Sequence, residues 1–383
     1  MSASDPGFGI YVHWPFCRRI CPYCDFNVHT ETAIDAEAWR GALLSELAHY
    51  AAELPERTVT SLYFGGGTPS LMAPGTVAAV IDTIARHWAI AADIEITLET
   101  NPTSSERARL ADFRTAGINR LSVGVQSFDD NALAFLGRDH TGADSIRTME
   151  DARANFDRVT FDLIYARPDQ ALTGWYAELN QAVEYATGHL SLYQLTIESG
   201  TPFFREGVAP PDDDIAADMF ETTQTVLADA GLPAYEISNH ARPGEESRHN
   251  LTCWRGGDYL GIGPGAHGRL TTGDAFTATH QVHNPARWLE LVRENGHGTA
   301  KRRSLTPGDR GRELLMMGLR LVEGVDPARF SRITGLPLDD LVDADARARL
   351  TAGGLIERDM TTLRATAAGR QRLNAVLAAL LIT

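Results

Sequence analysis

The feature that most constrains the fold is a sixfold alternation of short β-rich runs with segments long enough to be helices. The runs predicted to be strands are Ile10–His13, Val59–Phe64, Ile94–Leu98, Leu121–Val125, Val159–Ile164 and Leu190–Leu195. The first intervening segment, Ala36–Ala52, has the periodicity of a helix. Its apolar face consists of Trp39, Leu43, Leu44 and Leu47. Repeated strand–helix units predict an α/β fold with a parallel sheet, closed into a full or partial barrel.

Glycine-rich and polar motifs stand where these predicted strands end. They are Cys17–Cys24 after the first strand, Gly65–Pro69 after the second, Glu99–Pro102 after the third, Gln126–Phe128 after the fourth, Asp162 on the fifth and Glu198 after the sixth. In barrels of this kind the chemistry collects at the carboxyl ends of the strands. The sequence therefore predicts one functional site at that edge of the sheet.

Composition excludes several classes of function. The 383 residues carry 50 Asp and Glu against 35 Lys and Arg, a net charge of −15, which opposes non-specific binding to nucleic acid and anionic lipid. No apolar run reaches the length of a membrane span. Met1–Gly9 lacks the basic and apolar regions of a secretory signal, so we expect a cytoplasmic protein without an integral membrane segment. The chain has no GxxxxGK phosphate loop.

The character of the chain changes near residue 300. Residues 301–383 carry a net charge of +4, which leaves −19 for residues 1–300. Helical stretches are predicted at Glu313–Val322 and Asp345–Ala352, followed by a short hairpin and a last helix at Ala367–Leu381. This order predicts a mainly helical, winged-helix-like module. We therefore divide the chain into a barrel at 1–240, a barrel extension at 241–300 and a C-terminal domain at 301–383.

Three of the four cysteines form the motif Cys17-x3-Cys21-x2-Cys24, directly after the first predicted strand. Clustered thiols outside a disulfide framework indicate metal or redox chemistry. Three thiolates leave one iron of a [4Fe–4S] cluster open, and S-adenosylmethionine (SAM) can chelate that iron through its amino and carboxylate groups. Two alternatives stay open, namely zinc with His13 or His29 as the fourth ligand and unbound thiols.

The segment Tyr11–Asn27, YVHWPFCRRICPYCDFN, resembles the opening of radical-SAM proteins of the oxygen-independent coproporphyrinogen III oxidase group. Within that group the chain is most similar to the HemW-type haem chaperones. The resemblance also covers Gly65–Pro69, Gly124–Phe128, Asp162–Tyr165, His249–Trp254 and Gly261–Gly268. It implies a partial (β/α)6 barrel followed by a C-terminal domain.

The residues themselves suggest how a nucleotide would be held. Glycines at 65–67 let the backbone approach a ligand, so that its N–H and C=O groups could hold the SAM amino group, and Arg138 could pair with a carboxylate. An ordinary turn and a solvated arginine are the alternatives. The resemblance implies a longer set of SAM contacts: Tyr11, Gly66, Gly67, Thr68, Glu99, Gln126, Arg138 and Asp162. Whether one or two SAM molecules bind stays open.

Two functions from different classes fit this resemblance. One is oxidative decarboxylation of coproporphyrinogen III, and the other is carriage of haem to acceptor proteins. The true oxidases have a further cysteine two positions after the third ligand, where this chain has Phe26, and a longer segment before the cluster. The segment His249–Trp254 resembles the HNxxYW motif that is associated with haem binding, with Cys253 in place of tyrosine. The resemblance therefore favours a haem carrier with His249 as the haem ligand.

A third hypothesis is an iron–sulfur regulator that binds DNA through the C-terminal module. The −19 charge of residues 1–300 opposes this, so no nucleic-acid partner is expected. The partners implied by the resemblance are haem, haem-acceptor proteins and, if SAM is cleaved, an electron donor. A homodimer is among the oligomeric states left open.

Overall fold

The computed structural model describes residues 5–31 and 33–381. The first four residues of the Met1–Gly9 segment and the last two of the 301–383 region therefore lie outside the described residues. The strands are β1 (Phe8–Trp14), β2 (Phe16–Cys17), β3 (His29–Thr30), β4 (Thr58–Gly66), β5 (Ala89–Thr100), β6 (Arg120–Gln126), β7 (Arg158–Tyr165), β8 (His189–Gln194), β9 (Asn239–Ala241), β10 (Asp258–Ile262), β11 (His267–Thr272), β12 (Ala275–Gln281), β13 (Thr299–Leu305), β14 (Ile356–Arg358) and β15 (Leu363–Ala365).

The helices lie between these strands and follow them. They are α1 (Ala36–Glu53), α2 (Pro74–His87), α3 (Ser104–Arg107), α4 (Leu110–Thr115), α5 (Asp130–Phe135), α6 (Gly142–Asn155), α7 (Leu172–Tyr185), α8 (Pro202–Arg205), α9 (Asp213–Asp229), α10 (Arg248–Trp254), α11 (Pro285–Asn295), α12 (Pro307–Gly318), α13 (Pro327–Thr334), α14 (Ala344–Ala352), α15 (Ala367–Gln371) and α16 (Leu373–Leu380). Within the described ranges, no helix is long and apolar enough to cross a bilayer.

One large sheet organises the first 305 residues. Its strand order is β13-β12-β11-β10-β1-β4-β5-β6-β7-β8-β9. The six predicted strands are β1 and β4 to β8, which pair in parallel in chain order because a helical crossover joins each to the next. The predicted fold, a partial (β/α)6 barrel with a mainly helical C-terminal domain, is confirmed.

The two faces of β1 have different roles. Ile10 and Val12 are fully buried and pack in the main core, where the predicted apolar face of α1 covers them. Because side chains alternate along a strand, Tyr11 and His13 point to the opposite face. There Tyr11 stacks on Tyr63 of β4, with ring centroids 6.1 Å apart. One face of the strand thus supports the fold, and the other faces the inside of the barrel.

Strands that the sequence analysis did not predict extend the sheet beyond β1. β10 pairs in parallel with β1, and β11 to β13 continue the sheet as antiparallel strands. Glu46 of α1 stabilises this extension through hydrogen bonds. Its buried carboxylate accepts hydrogen bonds from the backbone N–H groups of Gly263 (2.8 Å) and Gly298 (2.7 Å) and from Nε1 of Trp288 (3.2 Å). Burial raises the pKa of Glu46 to about 7.

A second core holds the C-terminal module. Buried side chains of α12 and α13 pack there against the β14–β15 hairpin and α16. Two bidentate ion pairs join this module to the barrel, Arg255 with Glu323 and Arg269 with Glu313, at 2.7–2.9 Å. The boundaries at 240/241 and 300/301 remain a prediction.

The predicted C-terminal helices were correct in order, and the one at Asp345–Ala352 is confirmed as Ala344–Ala352, whereas the first and last were wrong in extent. The helix expected at 313–322 spans Pro307–Gly318, because Thr306 and Asp309 form a capping box around Pro307 and start it earlier. The helix Pro327–Thr334 was missed. The last helix breaks at Arg372, whose backbone leaves the helical region with φ −115° and ψ 28°.

We predict that Glu46→Ala lowers the free energy of unfolding by about 3 kcal/mol, because it leaves buried N–H donors without an acceptor. Urea unfolding of the two proteins measures the difference. Glu37→Ala, an exposed change on the same helix, should have little effect. An equal loss of unfolding free energy in both variants would contradict the stabilising role of the Glu46 hydrogen bonds.

Candidate functional site

A cavity of about 390 Å³ opens at the carboxyl ends of the parallel strands. This volume falls in the range typical of small-molecule sites. Most of the predicted site residues line it together: Cys17, Cys21, Cys24, Gly66, Gly67, Thr68, Glu99, Gln126, Arg138 and Asp162. Tyr11 and His249 do not line this cavity. The sequence argument that polar motifs at strand ends converge is therefore correct.

Three hydrogen bonds hold the cysteine loop in place. The N–H of Cys24 donates to the carbonyl of Cys21 at 3.1 Å, which closes a turn between the last two thiols. The N–H of Phe203, in α8, donates to the carbonyl of Pro22 at 3.0 Å. Nη1 of Arg138 donates to Sγ of Cys21 at 3.4 Å. The loop is thus shaped by the protein around it.

The three thiols are free and partly buried. Burial raises the pKa of Cys17, and it raises the pKa of Cys24 to about 11. A bound metal centre deprotonates coordinating thiols outright and would therefore offset this effect of burial. A positively charged iron centre would therefore fit this loop electrostatically.

The arrangement of the thiols bears on the kind of metal group that would fit. Among residues 5–31 and 33–381, no three His, Cys, Asp or Glu side chains are placed to hold a single metal ion. A zinc ion needs its ligands gathered around one centre, whereas a four-iron cluster takes each thiolate at a different iron. His13, one suggested fourth ligand, already uses both ring nitrogens, with Tyr11 Oη at 3.3 Å and the carbonyl of Asn27 at 2.9 Å.

The glycine turn after β4 is packed against the cysteine loop. Gly66 has φ +109°, and a Cβ there would lie 2.6 Å from the His13 ring. A Cβ on Gly67 would lie 2.7 Å from the carbonyl oxygen of Phe16 and 3.0 Å from Sγ of Cys17. Both positions therefore need glycine, and the turn and the loop form one unit.

The expectation that backbone N–H groups of this turn would hold SAM needs correction. The N–H groups of Gly67 and Thr68 donate to the carbonyls of Trp14 and Phe16, at 2.7 and 2.8 Å. The N–H of Gly66 donates to Glu99 at 3.2 Å. Because an amino group whose lone pair is bound to iron can only donate hydrogen bonds, it needs the carbonyl oxygens of the turn and not these N–H donors, which are already occupied.

We predict that Gly67→Ala weakens SAM binding by about tenfold, equivalent to about 1.4 kcal/mol, and lowers the iron content, because its Cβ displaces Phe16 and Cys17. Iron analysis after anaerobic reconstitution and equilibrium dialysis of SAM measure the two effects. Gly75→Ala is the control, since a Cβ at Gly75 meets nothing within 4 Å. Unchanged iron and SAM binding in Gly67→Ala would contradict this placement.

Two half-buried carboxyl groups face the cavity. Glu99, at the end of β5, accepts hydrogen bonds from Oη of Tyr63 (2.9 Å) and from the N–H of Gly66. Burial raises the pKa of Glu99 to about 8 and that of Asp162 to about 6, and the charge of Asp162 adds to the rise at Glu99. The wall therefore favours a cationic ligand, which would stabilise both carboxylates. SAM carries a sulfonium cation, so it fits this requirement.

We predict that Glu99 makes the ligand-free protein less stable as pH rises. Its pKa is higher in the folded chain, so the folded state binds more protons, and stability falls between about pH 4.5 and 8. Glu99→Gln should therefore show a smaller loss of melting temperature between pH 5 and 9 than the wild type. Glu150→Gln, an exposed change on α6, should match the wild type, and identical slopes in all three proteins would refute the assignment.

Arg138 belongs to a polar network that the sequence analysis saw only in part. Its Nη2 donates to the carbonyl of Gly124 at 2.9 Å and to Oδ1 of Asn101, and Asn101 donates to Thr68 Oγ1 at 3.2 Å. A Cβ at Gly124 would lie 3.2–3.3 Å from Gln126, Arg138 and Asn101. Asn101 was missed as a site residue, although it follows the third predicted strand within a motif already noted.

A further group of cavity-lining residues was not foreseen. It consists of Arg120, Thr160, His189, Ser191, Tyr193, Asn239, Ser247 and Asn250. His189 is satisfied at both ring nitrogens, by Thr160 Oγ1 at 2.7 Å and Tyr235 Oη at 3.0 Å. Ser191 and Tyr193 follow His189 at every second position of β8, so the alternation of a strand was the available signal.

His249 and Tyr11 lie below the cavity wall. His249 is 9% exposed, and its ring stacks on Tyr63 and Tyr11 with centroids 5.0 and 5.9 Å away. Burial lowers the pKa of His249 to about 4. Sγ of Cys253 lies 4.0 Å from Nε2 of His249, and burial raises the pKa of Cys253 to about 12. The roles predicted for Tyr11 at SAM and His249 at haem remain predictions.

Comparison with known proteins agrees with this geometry. A model of the radical SAM superfamily matches residues 11–171, and one of the HemN C-terminal domain matches residues 305–372. The solved structure of coproporphyrinogen III oxidase (HemN) from Escherichia coli aligns with a TM-score of 0.82 at 24% identity, covering 98% of this chain and 90% of that one. The fold and these matches define a radical SAM protein with a HemN-type C-terminal domain.

Similar sequences narrow the class further. The Escherichia coli protein named Heme chaperone HemW is 36% identical over 355 residues, which is 92% of each chain. The Mus musculus protein named Radical S-adenosyl methionine domain-containing protein 1, mitochondrial, is 42% identical over 97% of this chain and 87% of its own length. Within the radical SAM superfamily, the chain belongs to the HemW family.

Proposed function

We propose that this protein is a haem chaperone, which binds haem and transfers it to acceptor proteins, and that it holds a [4Fe–4S] cluster and SAM. The observation that carries the proposal is the similarity to a protein named a haem chaperone across 92% of both chains. That similarity spans the barrel, α10 and the C-terminal module together. It is therefore more informative than a match to the barrel alone.

The cysteine loop also supports the carrier over the oxidase. In the oxidases that this chain resembles, a further cysteine follows the third ligand by two positions. Phe26 stands at that position here, and its side chain is 61% exposed. An exposed phenyl group at the mouth of the cavity offers apolar contact to a flat ligand but no thiol chemistry. The fourth cysteine, Cys253, is absent from the cavity wall and near His249.

Each cofactor has residues that suit it. Cys17, Cys21 and Cys24 would hold the cluster, and Arg138 donates toward the thiol of Cys21. Glu99 and Asp162 would balance the positive charge of SAM. The cluster would supply one-electron chemistry at its open iron. The chain's own contribution is to orient the ligand and to keep these two carboxyl groups away from bulk water.

The proposal includes partners and a location. We place the protein in the cytoplasm, with haem and haem-acceptor proteins as partners and with no nucleic-acid partner. An electron donor is required only if SAM is cleaved. A homodimer is compatible with these functions, and sedimentation measurements would test whether it forms.

The proposal is tested by assaying one anaerobically reconstituted sample in three ways. We expect about four iron atoms per chain, saturable haem binding seen by absorbance, and no repeated decarboxylation of coproporphyrinogen III. Cys17→Ser should lose the cluster, and Cys253→Ser should retain it, because Cys253 lies outside the cavity wall.

Three results would go against the proposal. Stoichiometric zinc without iron would remove the cluster, and loss of the cluster in Cys253→Ser would show that the cysteines are partitioned differently. Many turnovers of coproporphyrinogen III decarboxylation would establish the oxidase instead of the carrier.

A further inference from the structure

Three histidines form a stacked group on the antiparallel extension of the sheet. His267 of β11 and His280 of β12 are direct cross-strand partners, and their rings stack with centroids 4.1 Å apart. His283, two residues after β12, meets His280 edge-on at 4.5 Å. His267 and His283 are exposed, so imidazole nitrogens are available at the surface. We name this group the histidine face.

The imidazoles of this face are suited to bind a metal centre. A neutral imidazole offers a lone pair to a metal, and the rings of His267 and His283 are exposed. Nε2 of His280 is buried and has no hydrogen-bond partner within the described residues.

A row of basic side chains continues from the histidine face. Lys301 of β13 pairs directly with His280, so His267, His280 and Lys301 stand side by side across three strands. Arg303 lies two residues further along β13 and therefore on the same face as Lys301. Both cations are exposed. Imidazole beside exposed ammonium and guanidinium groups matches a metal centre that carries carboxylate arms.

The histidine face is tied to the cysteine loop. Nδ2 of Asn27, three residues after Cys24, donates to the carbonyls of Pro264 (3.0 Å) and His283 (2.8 Å). The exposed phenyl group of Phe26 is the neighbour of Asn27 in the chain. The imidazoles and cations therefore belong to a part of the sheet that is hydrogen-bonded to the segment directly after the loop predicted to hold the cluster.

Haem can use an axial imidazole at its iron and cations beside its two propionates, and the histidine face offers both kinds of group. His249 is less accessible as an axial ligand, because it is 9% exposed and its ring is stacked on two aromatic rings. We propose that the histidine face is a haem site, with His267 or His283 as the axial ligand and Lys301 and Arg303 near the propionates. This inference rests on the proposed function, since it names where haem binds.

Haem titration of the reconstituted full chain tests the proposal. His267→Ala/His283→Ala should weaken haem binding at least about tenfold and shift the Soret band, and added imidazole should restore the band. Lys301→Glu should weaken binding without changing the Soret position, because it alters the propionate contact and leaves the iron ligand. His87→Ala, an exposed histidine on α2, is the matched control.

The outcomes separate this inference from the proposed function. If the wild type shows no saturable haem binding, the proposed function and the histidine face are both refuted. If the wild type binds and the double variant matches it in affinity and Soret position, only the histidine face is refuted, and loss of binding in His249→Ala then assigns the ligand to His249. Circular dichroism and iron content, unchanged in the double variant, show that it is folded and retains its cluster.

Discussion

The parallel pairing of β1 with β4 through β8 is the constraint on which the rest of this structure depends. Parallel strands bring all their carboxyl ends to one edge, so residues far apart in the chain meet there without further design. Cys17, Glu99, Arg138 and Asp162 come from four different strand ends or the segments after them, yet they line one cavity. The cysteine loop immediately follows the central strand β1, which places it over the middle of that edge.

The barrel and most of the cavity wall could be predicted from local patterns in the sequence. The strands alternate with helices at regular intervals, and the polar motifs stand at the ends of the strands. The position of Arg138 is less local, because it depends on the carbonyl of Gly124 and on the side chain of Asn101. Long-range hydrogen bonds of this kind have no periodic signal in the sequence.

The extension of the sheet was harder to predict for a similar reason. β9 to β13 are short or exposed, and their partners are set by tertiary contacts such as the carboxylate of Glu46 bridging to Gly263 and Gly298. The backbone conformation of Gln126, with φ +68°, was also not predictable from the local sequence. A non-glycine residue adopts that conformation only when its surroundings hold it there. Gly263 and Gly265 likewise pack against His13 of β1 and against Asn27, and neither lines the cavity.

The placement of α10 connects the cavity wall to the aromatic rings beside it. His249 stacks on Tyr11 of β1 and Tyr63 of β4, while Ser247 and Asn250 line the cavity. Because Ser247 is the N-cap of this short helix and Asn250 lies one residue after His249, a shift of the imidazole ring also moves polar groups of the cavity wall. A ligand in the cavity therefore senses a change at His249 even though His249 does not line the cavity.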